Sequence, residues 1–522
     1  MSALVKKHLS QSGHDLLSQR EKKMNALTRT AFRATLPRAL LSALLLGAAA
    51  PLYAAGLTIA IGSEPTTLDP QQREDGAERA INDNIFETLL ERTPDGVLVP
   101  GLALEMPTQV DPLTWEFKLK PDVSFTNGEP FNADAVVTSV LRIINPDYNS
   151  EQMPYMGTIE SAAKVDDLTV HITTKSPDPV LPARMYWMKM VPARYSADPE
   201  FGVTPIGTGP YEISHWERGE SITLVRNDAY WGDAPEIDEV TYRFVSEPGT
   251  RLSGLMAGEL DVIRNLYPEF AAAVPKAITA QGLETSTLVL STANPVMQDP
   301  KVRKAMNLAI DRAALAEALF VGHAQPVKGQ LVNPKSFGFN ASLPAYTYDP
   351  EQAKALIEEA GATGQKITLV GESGRWLKDR ELIEAVGSYW AEIGLDVDIR
   401  IEEFGEYLNQ LFDKNSRPDA IFVTNSDELL DADRPLSAAL EFGAGYASNV
   451  DEEMAAAIQA ARSETDVEAR AALYDEITQK AYDLDYLAPL LNQEDVYGLS
   501  ERLNWTPRID AKLLVKEMSV TE

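Results

Sequence analysis

Strand-like and helix-like stretches alternate along 522 residues without an internal repeat, which predicts an α/β protein of more than one domain. Two further observations support that class. The length leaves room for about three domains at ~150 residues each, and an apolar fraction of 44% can fill sizeable cores. The net charge of −31 excludes an affinity for nucleic acid or anionic lipid.

The elements follow in order. Arg29, Arg33 and Arg38 precede an apolar run from Ala39 to Ala50, and the small residues Ala54, Ala55 and Gly56 follow. Charged, hydrophobic and cleavage regions in that sequence predict an export signal over residues 1–55, cut near Ala54 or Ala55, with Met24 as an alternative start. The apolar run is ~12 residues long, where a membrane span needs ~20. Leu57 to Ile61 then reads as a strand, followed by the loop Gly62-Ser63-Glu64-Pro65. Ile85 to Arg92 is expected as a helix, with turns at Pro94-Asp95-Gly96 and Pro100-Gly101.

Trp115, Phe117 and Leu119 alternate on one strand face, Asn127-Gly128 makes a turn, and Asn132 caps a helix carrying Val136, Val137, Val140, Leu141 and Ile144. Val240 to Val245 is a strand, Gly249 to Asp261 a short helix, and Val262-Ile263 a strand. Asp299 caps a helix with Pro300 in its first position and Val302, Ala305, Met306, Ala309 and Ile310 along its buried stripe. Asp349-Pro350 repeats the device: Gln352 is placed to close a capping box, Leu356 and Ala360 share a face, and Gly361 ends the helix. Strands at Ile367–Val370 and Leu395–Ile401, helices at Glu381–Glu392, after Val450 and at Ala471–Tyr482, and a last strand from Tyr486 complete the pattern.

The stretch from Pro205 to Gly232, PIGTGPYEISHWERGESITLVRNDAYWG, joins a rigid Pro/Gly turn to a half-buried strand pair. It resembles the signature of bacterial solute-binding proteins of family 5, the dipeptide- and oligopeptide-type receptors of ABC importers. The blocks LSGLMAGELD (252–261), DPKVRKAMNLAIDR (299–312) and YLAPLL (486–491) resemble the same family in the same order.

That resemblance implies an α/β, two-lobed periplasmic binding protein fold (cluster C type) with mixed sheets and an extra inserted subdomain. Lobe I would comprise 56–88, 205–288 and 495–522, the inserted subdomain 89–204, and lobe II 289–494. It implies capture of a small solute or short peptide in the interdomain cleft, with delivery to ABC permease and ATPase subunits in other chains. A monomer without cofactor or metal is expected, and non-peptide solutes such as opines, oligosaccharides or nickel chelates remain open, as does an enzyme or chaperone on the same fold.

The chain contains no cysteine, which excludes disulfides, thiol nucleophiles, thiolate metal sites and lipid attachment through an N-terminal cysteine. A free periplasmic protein fits best. Beyond the export segment only His171, His215 and His323 remain, none at ligand spacing, and no GxSxG, P-loop or GxGxxG motif is present. No catalytic residue is therefore assigned.

A peptide needs a carboxylate for its ammonium and a guanidinium for its carboxylate. In the resembling family these come from an aspartate in a loop of the second lobe and from an arginine near this chain's Gly374-Arg375-Trp376. The corresponding loop runs from Asn425 through Asp427 to Pro435 and lacks the tryptophan of the family's W-x-x-D-x-x-x-P pattern, so its spacing reads as altered. The candidate ligand-binding residues are Glu64, Arg375, Trp376, Asn425 and Asp427.

Overall fold

The computed structural model describes residues 56–521 apart from 75, 374 and 414–416, so the expected export segment lies outside the described residues. Among the described residues the largest sheet has eleven strands. Its order is Asp396–Ile401, Lys366–Gly371, Ala420–Ser426, Lys276–Leu290, Leu487–Leu499, Val262–Ile263, Gly56–Ile61, Glu239–Phe244, Ser221–Arg226 and Tyr211–Glu217, with Ala324–Pro326 beside Leu487–Leu499. Pairing is mixed: Gly56–Ile61 runs parallel to Glu239–Phe244, and Lys366–Gly371 parallel to both its neighbours, while the two long central strands are antiparallel.

Those central strands join two lobes. One end of the pair contributes Ile278, Tyr497 and Leu499 to a core with Leu57, Ile59, Tyr211 and Val240, a core that the chain's last segment completes with Leu513 and Val515. The other end contributes Leu288, Leu290, Ala488 and Leu490 to a core with Met306, Leu369 and Trp390. The second lobe is covered on both faces of the sheet. Ala420 and Phe422 point to that core, whereas Ile421 and Val423 point to another with Tyr407, Tyr474 and Leu436, as the two-residue side-chain period requires. A separate four-stranded sheet, Thr108–Asp111, Thr114–Lys118, Thr169–Thr174 and Ile159–Asp166, packs its own core of Phe117, Val170 and Ile172 against Val136 and Val140 of the helix Ala133–Ile144.

Capping residues define the helix starts. Asn132 accepts from the N–H groups of Asp134 and Ala135, Asp299 from Lys301, and Asp349 from Gln352. Two faces are rotated from expectation. In Ala133–Ile144 the inward row is Val136, Val140 and Ile143, with Leu141 exposed, and in Pro350–Glu359 it is Ala353 and Ile357.

The expected helix from Ile85 to Arg92 is a correction. The helix is Gly76–Ile85 and stops where the expectation had it begin. The Ile85 carbonyl accepts from Gly209 N–H at 2.9 Å, and Leu90–Arg92 pairs with Leu98–Pro100 as a hairpin whose turn is closed by Gly96 at φ 93°. The Pro94-Asp95-Gly96 turn therefore shapes the residues before it as well as those after.

The same contact explains the Pro205–Gly232 signature. A Cβ on Gly207 would overlap the Ile85 carbonyl oxygen, and one on Gly209 would lie 2.6 Å from it. Between the two glycines, Thr208 donates to the buried Glu87 carboxylate at 2.9 Å, joined by Tyr230 and Trp231 from the end of the signature, each at 2.7 Å. The motif ties the strand pair to the helix end and does not reach into a cleft. Gly207→Ala is expected to destabilise the protein by about 1–3 kcal/mol through overpacking, whereas Gly219→Asn, at an open turn position with φ 77°, should cost less than about 1 kcal/mol. Thermal melts of the two variants check this, and equal melting temperatures would remove the close approach as the reason for the glycine.

Candidate ligand-binding site

The lobes touch through named side chains on either side of the central strands. Arg184 Nη2 meets Asp433 Oδ2 at 2.8 Å, Arg434 Nη2 donates to the Tyr155 hydroxyl at 2.9 Å, and Arg92 Nη2 donates to the Leu429 carbonyl at 2.6 Å. At another edge Lys378 Nζ meets Glu269 at 2.8 Å. Asp433 also takes Arg462 at 2.7 Å and Arg184 takes Asp178 at 2.9 Å. Burial opposes the Asp433 charge, but Arg184 and Arg462 hold its carboxyl below the usual range.

Between these contacts lies a deep polar junction. Lys366–Gly371 and Ala420–Ser426 are parallel and end on the same edge of the second lobe, the position where open α/β sheets place ligands. Glu372 follows the first strand and Asp427 to Arg434 follow the second. Glu284 stands opposite Ser426 on the outgoing central strand, and Asp495 lies on the returning one. Burial pushes Glu284 up to about 7, with Asp495 adding to the rise and Arg264 and Arg375 opposing it. Burial also lifts Glu372 to about 7, reinforced by Asp379, and Asp427 to about 7, against the Ser336 hydroxyl and with Asp431 and Glu428 adding to the rise.

A layered stack crosses the junction. Arg79 lies over the Trp187 ring at 4.5 Å, Trp187 stacks on Tyr155 at 5.6 Å and 23°, and the Arg434 guanidinium sits over Tyr155 at 4.3 Å. Glu428 acts electrostatically on Arg79, Arg434, Tyr155 and Tyr446. Buried polar atoms without a hydrogen-bond partner gather in this junction: Arg264 Nε, Arg434 Nε, Asn425 Nδ2, Gln493 Nε2, Trp187 Nε1, Glu428 Oε2 and Glu372 Oε1. Buried groups of this kind are ordinarily satisfied, and here both donors and acceptors are left over.

The five sequence candidates separate. Asn425 and Asp427 lie in the junction: Asn425 Oδ1 accepts from the Tyr446 hydroxyl at 2.5 Å, and Asp427 accepts from Asp431 N–H at 3.3 Å. Arg375 is exposed at the edge, stacked on Trp376 and Phe404 at 5.1 Å each, and acts on Glu284 and Glu372. Trp376 packs edge-on against Tyr407 and Phe422 at 6.3 and 6.0 Å and bridges the two second-lobe cores. Glu64 is held in the first-lobe hairpin by Trp216 Nε1 and Gly219 N–H, both at 3.0 Å, with Arg218 3.7 Å away.

The loop spacing also needs correction. Asp431 to Pro435 does keep the D-x-x-x-P interval, with Glu428 where the tryptophan would stand, and Asp431 Oδ1 takes Arg470 at 2.5 Å. Arg79, Tyr155, Trp187, Arg264, Glu284 and Asp495 escaped the sequence reading because they come from segments far apart in the chain, whereas Glu428 and Arg434 lie inside the Asn425–Pro435 loop and were passed over there in favour of Asn425 and Asp427.

Two cavities lie elsewhere. One of about 30 Å³ in the first lobe is lined by Asp83, Glu87, Lys189 and Lys512, and one of about 10 Å³ lies beneath Tyr346 and Leu436. They have room for about one or two waters, so neither competes with the junction. Among the described residues no group of three or more His, Asp or Glu is placed to hold a metal ion, and no helix is long and apolar enough to cross a membrane.

Comparison with known proteins agrees with this geometry. The family model for bacterial extracellular solute-binding proteins, family 5 Middle, matches residues 97–446. The glutathione-binding protein GsiB of Salmonella typhi is 27% identical over 477 residues, covering 87% of this chain and 92% of its own. DppA of Helicobacter pylori, solved with the peptide STSA, superposes with a TM-score of 0.79 at 23% identity over 90% of this chain and 98% of DppA. AgaA of A. tumefaciens, solved with agropinic acid, gives 0.78 at 23% identity over 90% and 99%. The structural likenesses establish the two-lobed fold, and with the family model spanning more than half of its length, the chain belongs to the bacterial extracellular solute-binding proteins of family 5.

Proposed function

We propose that this chain is the periplasmic substrate-binding component of an ABC importer, exported by way of residues 1–55, and that it captures a short peptide between its lobes and presents it to a membrane permease. The observation that supports this reading best is the coexistence, in one junction, of carboxylates (Glu284, Glu372, Asp427) and guanidiniums (Arg264, Arg375, Arg434) with unpaired donors and acceptors. A zwitterion with a polar backbone satisfies both signs and both kinds of hydrogen-bonding group. The relatives named for glutathione and the fold neighbour holding a tetrapeptide support it. Arg375 takes the solute carboxylate, Asp427 with Asp431 takes the ammonium, and Asn425 takes backbone or amide groups. The Arg184–Asp433 and Arg434–Tyr155 contacts form when the lobes close on the solute, which shifts the population to the closed form. The role is capture and release without turnover, by a monomer working with permease and ATPase chains.

A second reading keeps the transport role and replaces the peptide by a carboxylated non-peptide such as an opine. Glu428 in place of the pattern's tryptophan favours it, as does the agropinic acid held by AgaA. Mass spectrometry of the solute that accompanies the protein through a non-denaturing periplasmic preparation separates the two. Peptides of mixed sequence and narrow length are expected, and one non-peptide species would transfer the assignment to the second reading.

Proton linkage gives a further check. Carboxyls lifted to about 7 are largely neutral at pH 6 and charged at pH 8. A solute ammonium favours the charged form, so its binding releases protons and its affinity rises with pH across that window. Calorimetry with a co-purified peptide should show several-fold tighter binding at pH 8 than at pH 6, and Asp427→Asn should flatten the profile. A profile unchanged by that substitution would remove Asp427 from the cationic end.

A further inference from the structure

We propose that the lobe junction contains a second anion subsite, built by Arg434 and Asn425, which selects solutes carrying a carboxylate in addition to the one received by Arg375. This rests on the solute-capture reading and specifies the charge of what is captured.

Arg434 spends Nη2 on Tyr155 at 2.9 Å, while its Nε is buried without an acceptor. Asn425 uses its carbonyl oxygen to accept from Tyr446 at 2.5 Å, which fixes its amide so that Nδ2 is the outward group, also buried and without an acceptor. Tyr446 acts on Arg434 as well, so one phenol links the two donors. Arg79 lies two rings along the same stack, over Trp187, which stacks on Tyr155, the ring beneath Arg434. It is balanced there by Asp83, Glu428 and Glu74 and donates to the Asp510 carbonyl at 3.2 Å, so the unsatisfied donors are those of Arg434 and Asn425, with Glu428 acting on Arg434. This is the complement of a carboxylate, for which guanidinium and amide N–H groups are suited. Arg375 is a separate guanidinium: it acts on Glu284 and Glu372, and Glu284 in turn acts on Glu428.

The test compares Ala-Ala-Ala with Glu-Ala-Ala, Ala-Glu-Ala and Ala-Ala-Glu by calorimetry. At least one acidic tripeptide is expected to bind roughly tenfold to a hundredfold tighter than Ala-Ala-Ala, as a charge-assisted hydrogen bond provides. Arg434→Gln should abolish that gain, read as the ratio of acidic to neutral affinity, because the same substitution also breaks the Tyr155 contact and can weaken all four peptides alike. Tyr155→Phe, which removes the interlobe hydrogen bond but keeps the ring and the guanidinium, should retain the gain. Absence of any acidic preference in the parent, or its survival in Arg434→Gln, overturns the subsite and leaves the peptide reading standing. An equal loss for all four peptides in both variants also overturns it and makes Arg434 a closing contact only. If none of the four binds, the peptide reading fails, and the subsite is judged with glutarate in thermal melts. Stabilisation of the parent but not of Arg434→Gln upholds the subsite, and equal or absent shifts overturn it.

Discussion

The two antiparallel strands Lys276–Leu290 and Leu487–Leu499 are the constraint on which the rest depends, because through them one hydrogen-bonded sheet belongs to both lobes. At its two ends each strand meets the core of a different lobe. In between, the register shifts between Gln281 and Thr285, and Gly282 sits where a Cβ would come within 2.7 Å of the Gln493 carbonyl. A break in the ladder locally increases twist and bend. Glu284, Gln493 and Asp495 gather polar groups at that break, beside the buried Leu283 and Val496. The polar junction and the connection between lobes thus share one local feature, and the raised pKa of Glu284 and of Asp495 follows from placing carboxyls where water is scarce.

The ion pair between the lobes is arranged so that separating them would leave both of its members with a partner of opposite sign. Asp178 with Arg184 belongs to one side, and Asp433 with Arg462 to the other. The 2.8 Å contact of Arg184 with Asp433 joins the Asp178–Arg184 pair to a cluster in which Arg462 is shared by Asp433 and Glu441. Breaking a buried pair is costly chiefly when one partner is stranded, and here opening strands none. The open–closed balance can then remain within the few kcal/mol that a solute's differential affinity is able to shift.

Local chemistry was legible in the sequence where a few adjacent residues determine the outcome. Asn132, Asp299 and Asp349 read as caps and are caps, because capping is decided within four residues. The Pro205–Gly232 stretch was legible as a turn and strand pair, yet its purpose was not, since Glu87 and the Ile85 carbonyl that it serves lie more than a hundred residues away. Ile85–Arg92 misled because apolar spacing fits a helix end and a short strand equally, and the arbiter is the Gly96 turn beyond it. In the junction, Asn425 lies in the last residues of a strand and Asp427 follows it, and both were legible only through the resemblance to the family's aspartate loop. Arg79, Tyr155 and Arg434 become neighbours only after both lobes have formed.

One eight-residue segment, Asp427 to Arg434, combines roles that might have been spread over the protein. Asp427 and Glu428 face the junction, while the Leu429 carbonyl, Asp433 and Arg434 reach the first lobe. Leu430, at φ 53°, and Gly96 of the opposite hairpin fit against each other there. On the proposed reading, a solute that draws Asp427 or Glu428 towards itself would move the same backbone that makes the interlobe contacts, and contact with the first lobe would in turn position those carboxylates. Recognition and closure would then be coupled through a shared loop, with no longer pathway through the lobes needed to connect them.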